Sequence, residues 1–294
     1  MKVLLATDGS PHAEEAAAFL SRLPHAERLD LTVMTNIFVP TPSASTGTTA
    51  WLPEFREQQQ EAARLHFEAV ARMFEGANAA VTHSLGDGHI GHSIVEKAKE
   101  IEADLIVVGA KGHSTIDRIL LGSVSDHVAT EASCSVLVVR PPTNDNPDPL
   151  NLTVAAAPDT PSEPLVRPFR AFHFGESVTG HVLSVVPVIR TFRQDLLPAA
   201  AINRAEERAH AREHAAKVAE ALRKEEVDLS PQAIEAAHIG EGIVDFLQKQ
   251  STDLVLVGDS HRSILRRIAL GSGSRFVLRH APCSVWIARD PQAA

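Results

Sequence analysis

The chain alternates short apolar runs with longer stretches of helical periodicity. Lys2 to Ala6 is a short apolar run bounded by the turn formers Asp8, Gly9 and Ser10, and Glu14 to Ser21 carries helical character. Leu31 to Thr35 predicts a second strand. Residues 37–53 are rich in Pro, Thr and Ser, and too long for a routine connection, which points to a functional loop. Glu54 to Phe74 predicts a long amphipathic helix, with Ala62, Leu65, Ala69, Val70 and Met73 at helical spacing. The strand Val81 to Leu85, a helix from His92 to Ile101, the strand Asp104 to Val108, a helix around Val124 to Thr130 and the strand Val136 to Val139 complete the set. Strands alternating with helices, several of them continuous Leu/Ile/Val runs, imply an α/β fold with a mostly parallel sheet covered on both faces. Ligands of such doubly wound sheets bind beyond the carboxyl ends of the strands, near the switch in strand order.

The pattern occurs twice. His89-Ile90-Gly91 returns as His238-Ile239-Gly240, and Asp104 to Gly109 returns as Asp253 to Gly258. Leu121-Gly122-Ser123 returns as Leu270-Gly271-Ser272, and Cys134-Ser135-Val136 as Cys283-Ser284-Val285. Every pair is 149 residues apart. The front ends match less tightly, Val3 to Asp8 corresponding to Val154 to Asp159 at an offset of 151. A period this long means a duplicated domain rather than a solenoid, whose units run about 20–50 residues. The expected division is 1–141 and 151–290, five strands in each sheet, joined by a proline-rich polar linker over 142–150.

Charge and composition narrow the partners. The 294 residues carry a formal net charge of −9, with 4 % aromatics and no tyrosine, a poor basis for binding a nucleic-acid backbone through stacking platforms. A small anion is still admissible, because backbone amides bind phosphate without net positive charge. No apolar run approaches the roughly 18 residues a membrane helix needs, and Asp8 closes the first apolar stretch too early for a secretory leader. Two cysteines, 149 positions apart, make no disulfide framework and lead us to expect a cytoplasmic protein.

The candidate chemistry gathers after the fourth strand. Gly109-Ala110-Lys111-Gly112 leaves the strand, and nine residues later Gly122-Ser123-Val124-Ser125 opens the next helix. Glycines let a ligand approach the backbone closely. The amides of Gly122 to Ser125 lack intrahelical partners and are available to phosphate oxygens. The hydroxyls of Ser123 and Ser125 add donors, and Lys111 adds a mobile positive charge.

These residues resemble a known family. Gly109-x2-Gly112-x9-Gly122-Ser123 is similar to the nucleotide-binding pattern of the universal stress proteins. The first strand running into Ala6-Thr7-Asp8-Gly9-Ser10, and the closing Cys134-Ser-Val-Leu-Val-Val139, resemble that family too. The likeness spans essentially the whole chain, once per repeat, as in the tandem type. It implies a Rossmann-like fold that binds ATP or ADP, with Mg2+ as an optional companion. It further implies that Thr7 and Asp8 lie beside the adenosine, that Asn36 faces the adenine, and that Gly109, Lys111, Gly112, Gly122, Ser123, Val124 and Ser125 hold the phosphates. The two repeats would pair like a dimer through their last strands, with a homodimer of chains as a further option.

The second repeat departs from that pattern. Gly258-Asp259-Ser260-His261 keeps the spacing but puts histidine at the second glycine, serine at the lysine and a carboxylate beside the expected phosphates. Arg262, Arg266, Arg267, Arg275 and Arg279 follow without an intervening acid, and read as an interface or a solvated face before a second anion site. Gly86-Asp87-Gly88-His89-Ile90-Gly91 fits a dinucleotide fingerprint but follows the third strand, whereas that fingerprint belongs after the first. His89 with His92, and His210 with His214, lack the partners that make a metal site. No nucleophile stands beside a general base, so no catalytic residue is assigned. The expected function is nucleotide-dependent regulation in a stress response. A nucleotide-independent scaffold and a slow ATP hydrolase are the alternatives.

Overall fold

The computed structural model describes residues 1–25, 27–37, 51–112, 121–142, 149–158, 160–188, 197–259 and 270–289. Most of the predicted 37–53 loop, together with Ser260, His261, Arg262, Arg266 and Arg267, lies outside them. The chain divides into two compact units, one built from Met1–Leu23 and Glu27–Val139, the other from Arg140–Ala294 with Pro24–Ala26.

The first unit runs β1 (Lys2–Ala6), α1 (Pro11–Arg22), β2 (Leu29–Asn36), α2 (Leu52–Met73), β3 (Ala79–Gly86), α3 (Ile90–Glu100), β4 (Leu105–Gly109), α4 (Ser123–Glu131) and β5 (Ser135–Val139). Its sheet order is β3-β2-β1-β4-β5, with all pairs parallel. The order reverses between β1 and β4, where Val3, Leu4 and Leu5 register against Leu105, Ile106 and Val107. These residues are buried on both sides, as strands in a doubly covered sheet must be.

Helix α1 starts earlier than its periodicity suggests. Ser10 caps it, its hydroxyl accepting from the Ala13 amide at 3.3 Å, and Pro11 occupies the first turn, where a missing N–H costs nothing. Helix α2 buries only part of the face that its spacing predicts. Ala63 and Val70 are buried, whereas Leu65 is 52 % and Met73 38 % exposed. The ring contact of Phe67 with His83 on β3, centroids 4.7 Å apart, marks the side that meets the sheet. Aromatic bulk therefore outweighs the Leu65/Met73 stripe.

The second unit repeats the plan with β6 (Leu150–Ala155), α5 (Glu163–Ala171), β7 (Val178–Pro187), α6 (Leu197–Arg223), β8 (Ser230–Ala236), α7 (Ile239–Lys249), β9 (Leu254–Gly258), α8 (Ser272–His280) and β10 (Ser284–Ala288). Its order is β8-β7-β6-β9-β10, again parallel throughout.

The register corrects the sequence alignment of the repeats. Val3 pairs with Leu105, and Leu152 pairs with Leu254. The Lys2 amide donates to Asp104 Oδ2 at 2.8 Å, and the Asn151 amide to Asp253 Oδ2 at 2.9 Å. Both relations hold the offset at 149, so Thr7 and Asp8 correspond to Ala156 and Ala157, not to Pro158 and Asp159. The similar strings Val3-Leu-Leu-Ala-Thr-Asp8 and Val154-Ala-Ala-Ala-Pro-Asp159 are out of step by two residues. Backbone pairing decides the matter, because a two-residue slip would keep the strand faces but strand the Asp253 contact.

Candidate functional site

The site lies where the first sheet changes direction. Thr7, just beyond β1, is buried; its amide donates to the Met34 carbonyl at 2.9 Å and its hydroxyl accepts from the Gly9 amide at 3.2 Å. Asp8 is exposed, and its Oδ1 accepts from the Ser10 amide at 3.0 Å, closing a local turn before α1. Gly9 takes φ +73°, and a β-carbon there would fall 2.2 Å from the His66 ring. Helix α2 thus lays an imidazole on the turn that carries Thr7 and Asp8.

The loop after β4 meets this turn from the other side. A β-carbon on Gly112 would stand 2.5 Å from Asp8 Oδ2, so the bare Cα lets the carboxylate lie against the loop. Gly109 is needed for packing: a β-carbon would sit 2.6 Å from the His12 carbonyl oxygen, in the first turn of α1. Lys111 is half-buried between them. The Gly122 amide donates to Ala110 O at 2.7 Å, which folds the loop back and aims the start of α4 at the crevice.

That helix start provides the donors. The amides of Ser123, Val124 and Ser125 have no partner among the described residues, and the Ser123 side chain faces solvent. Such amides, at the positive end of the helix dipole, suit an anion. Ser125 needs correcting as a hydroxyl donor. Its side chain is buried, and its one proton is already shared between Gly109 O at 2.8 Å and Ala110 O at 3.0 Å. Ser274 makes the equivalent bond to Gly258 O at 2.8 Å. A contact kept in both units is a clamp of the fold, which leaves Ser125 only its backbone amide for a ligand.

Thr7, Asp8, Gly109, Lys111, Gly112 and the Gly122–Ser125 turn therefore share one crevice. Asn36 stands one strand away, at the end of β2, against the bare Cα of Gly86 and near Ser93. Its amide oxygen and nitrogen are both buried without a partner among the described residues, an arrangement that favours a ligand able to donate and accept.

In the second unit, the amides of Ser272, Gly273 and Ser274 are likewise unpartnered among the described residues. The first-strand turn differs: Ala156 and Ala157 bring neither hydroxyl nor carboxylate. Asp259 does not stand as an extra charge before the helix, contrary to the sequence expectation. Its Oδ2 accepts from Arg289 Nε at 2.7 Å, and both side chains are buried. The residues between them in sequence gave no hint of this pairing.

Sequence reasoning also missed His66. Its relative in the second unit, His214, donates from Nε2 to the Thr160 carbonyl at 3.0 Å. A histidine on the long helix of each repeat, 148 residues apart, was the available signal. Cys134 and Cys283 are both buried free thiols, and burial pushes the Cys283 thiol up to about 12, as expected of a packing residue. Among the described residues no cluster of three metal-ligating side chains forms, and no helix is long and apolar enough to cross a membrane.

Comparison with known proteins agrees with this architecture. The sequence profile of the universal stress protein family matches residues 1–140 and again 159–289. The chain belongs to the universal stress protein family. It is 35 % identical to a universal stress protein of Methanocaldococcus jannaschii over 147 residues, covering 48 % of this chain and 82 % of that one. It is 33 % identical to one from Thermus aquaticus over 138 residues, covering 47 % and 97 %. The crystal structure of a universal stress protein from Archaeoglobus fulgidus superposes on the whole chain with a TM-score of 0.61 at 19 % identity, covering 97 % of that chain, which supports the fold alone. Matches of half this length in single-domain relatives, against a full-length match here, fit two family domains in tandem.

Proposed function

We propose that the first unit of this universal stress protein binds ATP or ADP and acts as a nucleotide-dependent regulator rather than an enzyme. The observation that carries the reading is the apposition of Asp8 and Gly112 in front of three unpartnered amides, Ser123 to Ser125. Under it, the amides, the Ser123 hydroxyl and Lys111 hold the phosphates. Hydrogen bonds to a charged group contribute about 1.5–3 kcal/mol each, so a few of them hold a nucleotide without a Walker loop. Asp8 is suited to accept from ribose hydroxyls, and the buried Asn36 amide to pair with the edge of the base. Mg2+, when present, neutralises phosphate charge and draws on the Ser123 hydroxyl and water, since it favours oxygen ligands and keeps several waters.

The acid and the imidazole described in the crevice are engaged locally: Asp8 accepts from the Ser10 amide, and the His66 ring lies against Gly9. The reading is therefore binding without turnover. Mass spectrometry of ligand released from the purified native protein tests the reading, with adenine nucleotide as the expected result. Absence of nucleotide together with no calorimetric response to ATP overturns it in favour of a nucleotide-independent scaffold.

A further inference from the structure

Helix α6 of the second unit carries an unusual row of charge. Arg204, Arg208 and Arg212 are spaced by four, so they lie along one side of the helix and span about 12 Å. Two other helix arginines have acids within reach: Arg64 bonds both Glu61 and Glu68, and Arg223 bonds Glu220 and Asp228. The positions three and four away from Arg208 are Arg204, Ala205, Ala211 and Arg212, and those around Arg212 are Arg208, Ala209, Ala215 and Ala216. Neither has an acid one turn away on the helix, and neither makes an ion pair among the described residues, although Glu235 of β8 borders them. Like charges at this spacing repel, so Arg208 beside Arg212 is unfavourable unless something anionic lies along the pair.

A groove lies there. Arg204, Ala205, Arg208, Ala209, Arg212 and Glu235 line a space of about 500 Å³, the size of a small-molecule site. Glu235 closes it from the carboxyl end of β8, an edge strand. Among the described residues the walls are guanidinium groups, alanine methyls and one carboxylate, with no aromatic or large apolar surface on which a base could stack. Guanidinium forks match phosphate oxygens bidentately.

We propose that this groove is an anion site for a short oligophosphate chain that carries no base, separate from the strand-end crevice of the first unit. Phosphates lie along Arg208 and Arg212, and Glu235 supplies a hard oxygen to the divalent cation that accompanies oligophosphate in solution.

The test is calorimetry of the full chain with sodium tripolyphosphate and magnesium, at low and physiological salt. Wild type binds, Arg208→Gln with Arg212→Gln weakens binding tenfold or more, and Gly122→Val leaves it unchanged. Glu235→Gln lowers the magnesium dependence and retains binding in its absence. Both arginines are exposed, so circular dichroism of the double variant matches wild type. No binding by wild type overturns the proposal, as does equal binding by the double variant. Loss in Gly122→Val assigns the ligand to the first unit and overturns it too, as does a wild type that ignores tripolyphosphate yet binds an acidic peptide. The nucleotide reading fails by a different sign, an ATP response that Gly122→Val does not alter.

Discussion

Arg289 donates to the carboxylate of Asp259 at 2.7 Å, with 7 % and 3 % of the two side chains exposed. The acid that breaks the glycine motif of the second repeat is thereby neutralised within its own unit. Asp259→Ala therefore does not clear a path for phosphate. It takes the carboxylate from a buried guanidinium, and removing one partner of such a pair costs about 3 kcal/mol or more. Urea unfolding is expected to show that loss, and Asp259→Ala with Arg289→Met to recover most of it. An Asp259→Ala variant as stable as wild type would mean that solvent reaches Arg289 after all.

Gly112 is expected to be more sensitive than its place in a surface loop suggests. A methyl there would sit 2.5 Å from Asp8 Oδ2 and push the carboxylate aside. Gly112→Ala should reduce ATP affinity about tenfold, equivalent to roughly 1.4 kcal/mol, while the melting temperature without ligand stays within a few degrees. Gly122→Val, whose nearest neighbour would be Ala110 O at 3.3 Å, should fold and lose the ATP-dependent thermal shift. That shift corresponds to about 2.7 kcal/mol at a hundred times the dissociation constant.

The two repeats should not bind ATP equally. Both offer helix-start amides, yet only the first has Thr7 and Asp8 where the second has Ala156 and Ala157. Calorimetry is expected to return one ATP per chain, abolished by Asp8→Ala. Two equivalent sites in wild type would show that the amides alone suffice.

Acid should weaken the first unit through His83. Its ring stacks on Phe67 and its Nε2 is buried without a partner, and this burial holds its pKa below the ordinary 6.5. The unfolded chain then binds more protons below pH 6.5, so the contribution is complete above that pH and is lost as pH falls toward the folded value. Melting temperatures from pH 7.5 to 5.5 should fall less steeply in His83→Phe than in wild type. Parallel slopes would exclude His83 as a source.

The alternation of strands and helices, the duplication and the approach of the Gly109 loop to the start of α4 were legible in the sequence, because each depends on local periodicity or spacing. The early start of α1 was written in Ser10-Pro11 but hidden by a search for apolar periodicity. The buried face of α2 was partly misread because packing of Phe67 on His83 depends on β3, remote in the chain. The same remoteness concealed the Asp259–Arg289 pair, 30 residues apart, and the bond that occupies Ser125. The alignment of β1 with β6 failed for another reason: two similar apolar strings slide past one another freely until hydrogen bonds fix the register.

The bonds that fix it, Lys2 to Asp104 and Asn151 to Asp253, each join residues 102 apart in the chain. Their consequence is temporal. Within the first unit, the strand that delivers Thr7 and Asp8 is made before the others, yet it is an interior strand whose second neighbour, β4, emerges from the ribosome only about a hundred residues later. Contacts of such long separation form slowly. A nascent chain halted before Asp104 presents β1 as an open edge, ready to pair with the wrong neighbour. The crevice therefore matures late in the synthesis of the first repeat, although Thr7 and Asp8 precede every other residue that lines it.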